Sequence, residues 1–504
     1  MQVENKAHVP DILDCIANLS SDEVFTPPDV ANQVLDLLPV EIWSNPDIKI
    51  LDPCCKTGIF LRESARRFMK GLEGKFPDEE ERREHIFKNM LYGIAITELT
   101  ALVSRRSLYY TKEANNKFAI VQFEDPDGNI QFKRMEHDYV QGKCKICGAL
   151  YEDLERGEHL ENYAYQFIHE KAVGDMKFDV IIGNPPYQIE DGGQGRSASP
   201  IYQLFVNQAF RLKPRYVAMI IPSRWFAGGK GLDEFRKQML DSTKFRNLVD
   251  FPNAAELFPG VDIAGGICYF LWDEKHDGLC EVKTNESGKE PSITERSLGD
   301  HGDVFVRFNE ALPILEKISK KNFPTLDKKV SSRKPFGFAT NFKDFATIKS
   351  KRNLKIFTRE GEFEIPQSAV KVNVDLVSKW KVIIAKAYGE RGSYPYLITS
   401  KPQILEPNVV CTETYIVCGT YDTREEAENF VSYLRTRFVR FLIALRKNTQ
   451  HITQARFKFV PDLEMNKSWT DEKLYKKFEL SIEEVSFIES LVREMPKSKS
   501  DIHA

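Results

Sequence analysis

The alternation of strand-like and helix-like segments between residues 25 and 275 constrains the fold more than any other feature of the sequence. Short apolar runs rich in β-branched residues, such as YVAMII (216–221), alternate with segments that have helical spacing of apolar residues. This pattern predicts a mostly parallel sheet with helices on both faces, the doubly wound α/β class. The stretch KILDPCCKTGIFLRESARRFMKGL (49–72) has the form of the opening unit of such a fold: a strand, a turn that contains Gly58, and a helix.

Composition and charge restrict the class of protein. With 504 residues, 42% of them hydrophobic and 29% charged, the chain has the balance of an ordinary globular protein of two or three domains. The longest apolar runs are too short to span a bilayer, and residues 1–10 lack the apolar core of a secretory signal. Nine cysteines, an odd number, argue against a disulfide framework, so we expect a cytoplasmic protein with no membrane partner. The net charge of −3 does not indicate that the chain binds nucleic acid, so any such indication has to come from local clusters of positive charge.

The segment FDVIIGNPPYQ (178–188) has unusual chemistry at the end of a predicted strand. Asp179 to Gly183 have the pattern of a buried parallel strand, and Asn184-Pro185-Pro186-Tyr187 follow where an open α/β sheet binds its ligand. The prolines lack backbone donors and restrict φ, so carbonyl oxygens and the Asn184 side chain can hold one geometry beside an aromatic ring. This arrangement suits a planar substrate that carries an amino group, although a Pro-Pro step also occurs in ordinary turns.

Three other segments bear on a cofactor site. In residues 52–58 (DPCCKTG) a tight turn joins strand to helix, which is the position of a nucleotide-type cofactor in doubly wound folds, although an ordinary turn has the same outline. Phe25-Thr26-Pro27 precedes a helix whose start is marked by its threonine and proline. The predicted second strand, 89–96, has Ala95 where an acidic residue would bind ribose hydroxyls, and Glu98 is the substitute.

Residues 111–177 are more than one further strand and helix require, and they contain CKICG (144–148). Two cysteines separated by two residues and followed by glycine have the shape of a zinc knuckle, with Cys144 and Cys147 as ligands. Because only one such pair is present, two interpretations stay open: two free thiols in an insertion, or a structural zinc site. In the second interpretation the remaining ligands come from the histidines of this region: His137, His159 or His169.

The C-terminal part of the chain has two acid-poor basic blocks, residues 317–359 and 435–459. Basic runs usually form solvated surfaces, and Phe438, Phe441 and Leu445 at helical spacing are typical of a core. Two such blocks in a near-neutral protein nevertheless favour contact with the phosphates of DNA or RNA. The candidate contacts are Arg333, Lys334, Arg446, Lys447 and Arg456.

Taken together, four motifs resemble the adenine-specific DNA methyltransferases of restriction–modification systems, and their order is similar to that of the gamma class. The motifs are Phe25-Thr26-Pro27, DPCCKTGIF (52–60), Tyr92-Gly93-Ile94 and Asn184-Pro185-Pro186-Tyr187. The resemblance covers most of residues 20–275 and extends loosely into the C-terminal part.

The resemblance implies a particular architecture. A Rossmann-like methyltransferase domain that uses S-adenosylmethionine would occupy residues 1–300, with residues 111–177 as an insertion. An α+β target-recognition domain that binds double-stranded DNA would occupy residues 301–504. The doubly wound sheet expected from the strand and helix pattern agrees with this fold.

The family also implies roles for particular residues. Asn184 and the Pro185 carbonyl, in a loop completed by Pro186, would accept hydrogen bonds from the adenine amino group. Tyr187 would stack on a base flipped out of the duplex, with Phe258 as a second aromatic wall. The residues that would surround the cofactor are Phe25, Thr26, Pro27, Asp52, Pro53, Cys54, Gly58 and Phe60, with Glu98 in place of the ribose acid.

The function implied is site-specific methylation of adenine in duplex DNA, as the modification component of a restriction–modification or phage-defence system of a bacterium, plasmid or phage. Cleavage would need a separate restriction endonuclease or helicase subunit. Two departures from the family pattern, Ala95 and Lys56, both fall on the cofactor side. They keep open a DNA-recognition subunit with a weakened or inactive methyltransferase fold, and an RNA methyltransferase is a further alternative.

Overall fold

The chain forms two compact units, Met1–Phe305 and Val306–Ala504. The computed structural model describes residues 24–133, 135–149, 151, 165–169, 176–189, 199–228, 231–261, 263–286, 288–343, 353–390, 394–447 and 450–496. Among the helices of these residues, none combines the length and the apolarity needed to cross a bilayer.

The first unit contains strands and helices in alternation. Its described strands are β1 (Ile50–Cys55), β2 (Leu91–Ala95), β3 (Ile130–Gln131), β4 (Tyr139–Val140), β5 (Lys143–Cys144), β6 (Val180–Gly183), β7 (Gln188–Ile189), β8 (Ser199–Pro200), β9 (Tyr216–Pro222), β10 (Phe245–Phe251), β11 (Ile267–Asp273), β12 (Cys280–Thr284) and β13 (Ser292–Arg296). Its described helices are α1 (Pro28–Leu35), α2 (Ile59–Gly71), α3 (Glu79–Asn89), α4 (Glu98–Tyr109), α5 (Gln166–His169), α6 (Tyr202–Arg211) and α7 (Asp233–Asp241).

Nine of these strands form one sheet in the order β13-β12-β10-β11-β9-β6-β1-β2-β3. The pairs β1–β2, β1–β6, β6–β9, β2–β3 and β10–β12 are parallel. Strand β11 is antiparallel to both of its neighbours, and β13 is antiparallel to β12. The predicted doubly wound, mostly parallel α/β fold is confirmed.

The order of the strands locates the ligand crevice. From β1 the chain proceeds to β2 and β3 on one side, and it then crosses to β6 and β9 on the other side. At such a reversal the loops after the two central strands diverge and leave an opening at their carboxyl ends. The segments that follow β1 and β6 therefore face the same crevice.

Strand β6 is buried on both faces, which explains its continuous apolar sequence. Val180 and Ile182 belong to the apolar cluster that contains helices α1 to α4. Ile181 belongs to the cluster on the other face, which contains α5, α6 and α7. The strand that carries the Asn184 loop is consequently held by packing from both layers.

Strand β1 runs further than the sequence indicates. The turn was expected to begin at Asp52, but the strand continues through Pro53 to Cys55, so this boundary was wrong. The register of its pairing with β2 shifts between Asp52 and Cys55, and such an irregularity accommodates a proline within a sheet.

The second unit is of the α+β type. Its described strands are β14 (Asn353–Thr358), β15 (Gly361–Pro366), β16 (Trp380–Ala385), β17 (Gln403–Leu405), β18 (Val409–Cys411) and β19 (Tyr415–Tyr421), in two three-stranded sheets, β15-β14-β18 and β17-β16-β19. Its described helices are α8 (Ala311–Lys320), α9 (Arg424–Arg435), α10 (Arg437–Ala444), α11 (Asp471–Lys477) and α12 (Ile482–Leu491). Two apolar clusters form its core.

Candidate active site

The carboxyl ends of β1 and β6 lie against each other. Ile50 pairs with Val180 and Leu51 with Ile181. At the end of β6, a Cβ atom on Gly183 would lie 2.8 Å from the Cys54 sulfur and 3.0 Å from Asp52 Oδ1. Only glycine allows this approach, so the last residue of β6 brings the two loops together.

The turn after β1 leads directly into helix α2. Gly58, the residue before that helix, has a φ of +74°, which side chains rarely adopt. Within the preceding strand, the Cys54 backbone N–H donates to Asp52 Oδ1 at 3.1 Å. The Thr57 hydroxyl is buried, and within the described ranges no group forms a hydrogen bond with it.

A pocket opens between this turn and the loop after β6. Its lining brings together five of the cofactor residues predicted from the sequence and the predicted catalytic asparagine. The lining residues are Thr26, Asp52, Cys54, Lys56, Thr57, Gly58, Ile59, Phe60 and Asn184.

Asn184 is buried and held in one orientation. Its amide Nδ2 donates to the Val24 carbonyl and to Thr26 Oγ1, each at 3.1 Å. Because a carbonyl can only accept, the nitrogen must face Val24, and this fixes the position of Oδ1. Oδ1 is buried, and none of the described residues forms a hydrogen bond with it. A buried acceptor without a donor is costly, so this atom is suited to receive a donor from a ligand.

Tyr187 and Phe258 belong to the same apolar cluster, and both are buried. Burial raises the pKa of the Tyr187 phenol well above its ordinary value, against a smaller opposing effect of the Asn184 side chain nearby. In the part of the chain that the structure describes, no group lies in hydrogen-bond geometry to the hydroxyl itself. Both predicted aromatic walls thus belong to one apolar cluster, and their role toward a base stays a prediction.

The ionisable groups of the pocket are perturbed by burial. Burial raises the pKa of Asp52 from 3.8 to about 7, although the Cys54 backbone N–H and the charge of Lys56 oppose this rise. Burial, and then the charge of Asp52, raise the pKa of the Cys54 and Cys55 thiols well above the ordinary range. Neither cysteine is activated as a nucleophile, which needs a lowered pKa.

Lys56 was treated in the sequence only as a departure from the family pattern, yet it is part of the pocket. The side chain is buried, and its Nζ donates to the Val24 carbonyl at 3.0 Å. Thr57 and Ile59 also line the pocket and were not selected. The signal that could have identified Lys56 was a cation placed within a cofactor turn.

The other predicted cofactor residues do not line the pocket. Phe25 is buried beside Thr26, Pro27 precedes helix α1, and Pro53 lies within β1. Glu98 is the exposed first residue of helix α4, after the N-cap Thr97. Their contribution to cofactor binding remains a prediction.

The predicted DNA contacts of the first basic block lie at the surface of the second unit. Arg333 is exposed and forms an ion pair with Glu413, with Nε 2.8 Å from Oε2. Lys334 is partly exposed. Both side chains can be reached from solvent, as a phosphate contact requires.

The second basic block differs from the expectation. Arg446 is only 2% exposed, its Nε donates to the Ala455 carbonyl at 2.8 Å, and its guanidinium lies 4.7 Å from the centre of the Phe459 ring. Arg456 donates to the Arg446 carbonyl, and burial lowers the pKa of Lys447 to about 8. Arg446 is thus a core residue, and the prediction that it contacts DNA is contradicted because its charge is satisfied inside the protein.

The cysteine pair of the insertion has two histidine neighbours. The sulfur atoms of Cys144 and Cys147 and one ring nitrogen each of His137 and His169 lie within 4.8 Å of one another. His159, the third histidine considered, is outside the described residues.

Comparison with known proteins identifies the family. The model of the Eco57I restriction-modification methylases matches residues 89–258. An uncharacterized adenine-specific methylase of Mycoplasma pneumoniae is 37% identical over 321 residues, which are 57% of this chain and 76% of that protein. The chain belongs to the adenine-specific methylases. The resemblance inferred from the motifs is confirmed for this methylase.

Solved structures of restriction–modification proteins are also similar to the methylase. A nuclease-deletion mutant of the Type ISP enzyme LlaGI, in complex with a DNA substrate mimic, is 13% identical with a TM-score of 0.47, and the match covers 85% of this chain and 45% of that one. A modification subunit of a putative type I restriction enzyme from Vibrio vulnificus is 17% identical with a TM-score of 0.33, over 54% of this chain and 49% of that one. The methylase spans about half the length of these solved chains.

Proposed function

We propose that the methylase transfers a methyl group from S-adenosylmethionine to the exocyclic amino group of an adenine in duplex DNA, at a specific sequence. The observation that carries this proposal is the Oδ1 atom of the pocket residue Asn184, which is buried and has no hydrogen-bond partner among the residues that the structure describes. Membership of the adenine-specific methylases supports it.

The residues of the pocket fit the methionine part of this cofactor, which carries an ammonium group and a carboxylate. Asp52 offers a carboxyl group, Lys56 a cation, and Thr57 a buried hydroxyl that no other described residue engages in a hydrogen bond. We propose that these three side chains hold the cofactor, with Gly58 and Phe60 beside them. When bound, S-adenosylmethionine supplies a methyl group carried on a positively charged sulfur.

The Asn184 side chain is proposed to activate the adenine. The exocyclic nitrogen is a weak nucleophile because its lone pair is delocalised into the ring. Asn184 Oδ1 and the Pro185 carbonyl accept hydrogen bonds from the two N–H groups, which favours a tetrahedral nitrogen with a localised lone pair. Asn184 Oδ1 needs no rearrangement, because Val24 and Thr26 already hold the amide. Catalysis then rests on positioning and electrostatic stabilisation.

The adenine must leave the duplex to reach Asn184, since its amino group is paired inside the helix. We propose that Tyr187 stacks on the flipped base and that Phe258 forms a second apolar wall. Stacking of a base on an aromatic ring contributes about 1–3 kcal/mol. This contribution would offset part of the cost of unstacking the adenine from the duplex.

The DNA itself is proposed to bind through the second unit, with Arg333 and Lys334 as phosphate contacts. In this proposal the methylase acts in the cytoplasm as the modification component of a restriction–modification or phage-defence system. Cleavage of unmodified DNA is then the task of a separate endonuclease or helicase subunit.

The test is transfer of tritium from methyl-labelled S-adenosylmethionine to duplex DNA prepared from a host without adenine methylation. Wild type should label the DNA at adenine, and Asn184→Ala should lose about 100-fold or more in rate, as expected for removal of one aligned electrostatic contact. Asn247→Ala is a matched control, because that amide contacts Glu281 on the sheet, away from the pocket. Calorimetric titration with S-adenosylhomocysteine verifies that each variant still binds cofactor.

Two results would contradict the proposal. Specific binding of DNA by wild type without label on any DNA would indicate a recognition subunit with an inactive methyltransferase fold. Label on RNA or protein alone would assign the activity to another substrate class.

A further inference from the structure

The insertion between β3 and β6 gathers four groups that ligate metals. His137 precedes strand β4, Cys144 ends β5, and Cys147 follows within the next turn. His169 is the last residue of helix α5. These residues are separated in the sequence, and the fold alone brings their ligand atoms within 4.8 Å of one another.

Two of the distances between these atoms are close to those around a tetrahedral zinc ion. Cys147 Sγ lies 3.3 Å from His137 Nδ1, and Cys144 Sγ lies 3.5 Å from His169 Nε2. With Zn–S and Zn–N bonds of about 2.3 and 2.0–2.1 Å, two ligands of a tetrahedral zinc ion are about 3.6 Å apart. Each cysteine–histidine pair therefore has the spacing of two ligands of one ion, and the two pairs lie within 4.8 Å of each other.

The backbone around the cysteines has the form of a metal knuckle. The Gly148 N–H donates to the Cys144 carbonyl at 3.0 Å, and the Cys144 N–H donates to the Ala149 carbonyl at 2.8 Å. Gly148 has a φ of +75°, which turns the chain back after the second cysteine. Both thiols are buried, at 4% and 8% exposure.

The orientation of His169 is fixed by a second contact. Its Nδ1 lies 2.9 Å from the Tyr165 carbonyl, which can only accept, so Nδ1 carries a proton and the lone pair of the neutral ring is on Nε2. This arrangement of a backbone carbonyl behind a ring nitrogen is the usual support of a metal-bound histidine. His137 and His169 have ring centroids 5.3 Å apart and are nearly perpendicular, as two ligands that converge on one point can be.

We propose that His137, Cys144, Cys147 and His169 bind a structural zinc ion through Nδ1, the two sulfur atoms and Nε2. Two thiolates and two imidazoles are the donor set that zinc prefers. Four protein ligands leave no open position, so the ion has a structural role and takes no part in methyl transfer.

The ion connects two pieces of the insertion that have little regular structure of their own. The β4–β5 ribbon has two residue pairs, and helix α5 has four residues, too few to persist through its own hydrogen bonds. On its other side α5 packs on helix α6, with the rings of Phe167 and Phe205 stacked at 5.9 Å. Zinc would therefore anchor the ribbon to the helical layer that covers β6.

Metal analysis of the full chain tests the proposal. Wild type, purified from cells grown with added zinc, should contain about one zinc ion per chain. Cys144→Ser and His169→Asn should lose it, whereas His159→Asn and His85→Asn should keep it. Titration with S-adenosylhomocysteine verifies that the variants are folded. Zinc retained by Cys144→Ser or by His169→Asn would overturn the ligand assignment.

A second measurement does not depend on any variant. Wild type stripped of metal and loaded with cobalt(II) should show the visible absorption of a tetrahedral cobalt site together with thiolate charge-transfer bands. Its midpoint of thermal unfolding should fall on stripping and recover with zinc. A wild-type protein without zinc that also gives no thiolate bands with cobalt would rule the site out, and the cysteines would then be two thiols hydrogen-bonded to histidines.

Discussion

A negative charge on Asp52 destabilises the cofactor-free protein, whereas in the proposed function the same charge is needed to bind the cofactor. Burial raises the pKa of its carboxyl group to about 7, so the neutral form is favoured more than in an exposed aspartate. An ammonium group of a bound cofactor would stabilise the ionised form. Stability and binding therefore make opposite demands on one side chain.

We predict that Asp52→Asn stabilises the cofactor-free protein in mild alkali. The folded-state pKa is raised from 3.8, so the stability contributed by Asp52 is complete below about pH 4 and is lost as the pH rises through 7. Asparagine stays neutral and avoids this loss, with an upper limit of about 4 kcal/mol in the free energy of unfolding. Urea unfolding should show a larger gain at about pH 8 than at about pH 5.5.

The same variant should bind S-adenosylhomocysteine at least about tenfold more weakly, since a charged hydrogen bond contributes about 1.5–3 kcal/mol. Asp36→Asn is the matched control, because Asp36 is exposed and forms its ion pair with Arg67 at the surface. Equal stability of wild type and Asp52→Asn at both pH values would show that the carboxyl group is not strained by burial.

The sequence predicted some residues of the pocket and missed others. Asn184 and Gly58 were selected because a motif defines both their position and their chemistry, and both line the pocket. Lys56 was not selected, because it occupies a position where the family pattern has a small residue and was interpreted only as a departure from that pattern. Only the fold reveals that its Nζ turns inward to the Val24 carbonyl.

Helix α10 shows why a basic block is an ambiguous signal at the scale of an element. The helix buries Phe438, Val439 and Phe441, and it also buries Arg440. The Arg440 guanidinium donates to the carbonyls of Leu397 and Arg493 at 3.0 and 2.9 Å. Backbone carbonyls carry no sequence signature, so the sequence could not distinguish these internal cations from a phosphate-binding face.

An arginine variant of the second basic block and a lysine variant of the first should therefore have different effects on stability and on DNA binding. Arg446→Ala should lower the free energy of unfolding by about 2–3 kcal/mol, because it breaks a buried hydrogen bond and empties packed space. Lys334→Ala should leave stability unchanged and reduce the slope of log affinity for DNA against log salt by about 1. Urea unfolding and DNA titration over a range of salt concentrations measure the two quantities.

The opposite pattern would contradict the assignment. If Arg446→Ala remained as stable as wild type but lost one unit of salt slope, the guanidinium would be a phosphate contact after all. Lys320→Ala provides a control, because Lys320 is exposed and pairs with Glu316 within helix α8.

Strands and helices of the first unit were predicted best where burial on two faces leaves a continuous apolar run. Strand β6 was expected at 179–183 and extends over Val180–Gly183. Strand β1 was expected to end before Asp52, because proline normally breaks a ladder. Its continuation depends on a register shift against β2, which no local sequence pattern encodes.

At the scale of the whole molecule, each unit has its own apolar clusters. All residues that line the pocket belong to the unit Met1–Phe305. The histidines near Cys144 and Cys147 could not be chosen from the sequence, because their spacing matches no standard zinc finger and only the folded insertion brings them together.

We predict that a fragment of residues 1–305 folds and binds S-adenosylhomocysteine within about threefold of the full chain, because a unit with its own core can fold alone. The fragment should lose sequence-specific DNA binding, since Arg333 and Lys334 lie outside it. Calorimetry and DNA titration measure both. A fragment that kept full DNA affinity would move the recognition surface into the first unit.

One atom joins the two halves of the proposed reaction. The Val24 carbonyl accepts hydrogen bonds both from Lys56, in the turn assigned to the cofactor, and from Asn184, assigned to the adenine. A ligand that draws Lys56 away from this carbonyl changes the hydrogen bond that the carbonyl accepts from the Asn184 amide. A base that moves the amide likewise changes the hydrogen bond from Lys56. Thermodynamic linkage then requires reciprocity: whatever factor the cofactor applies to the affinity for the flipped adenine, the adenine applies to the affinity for the cofactor.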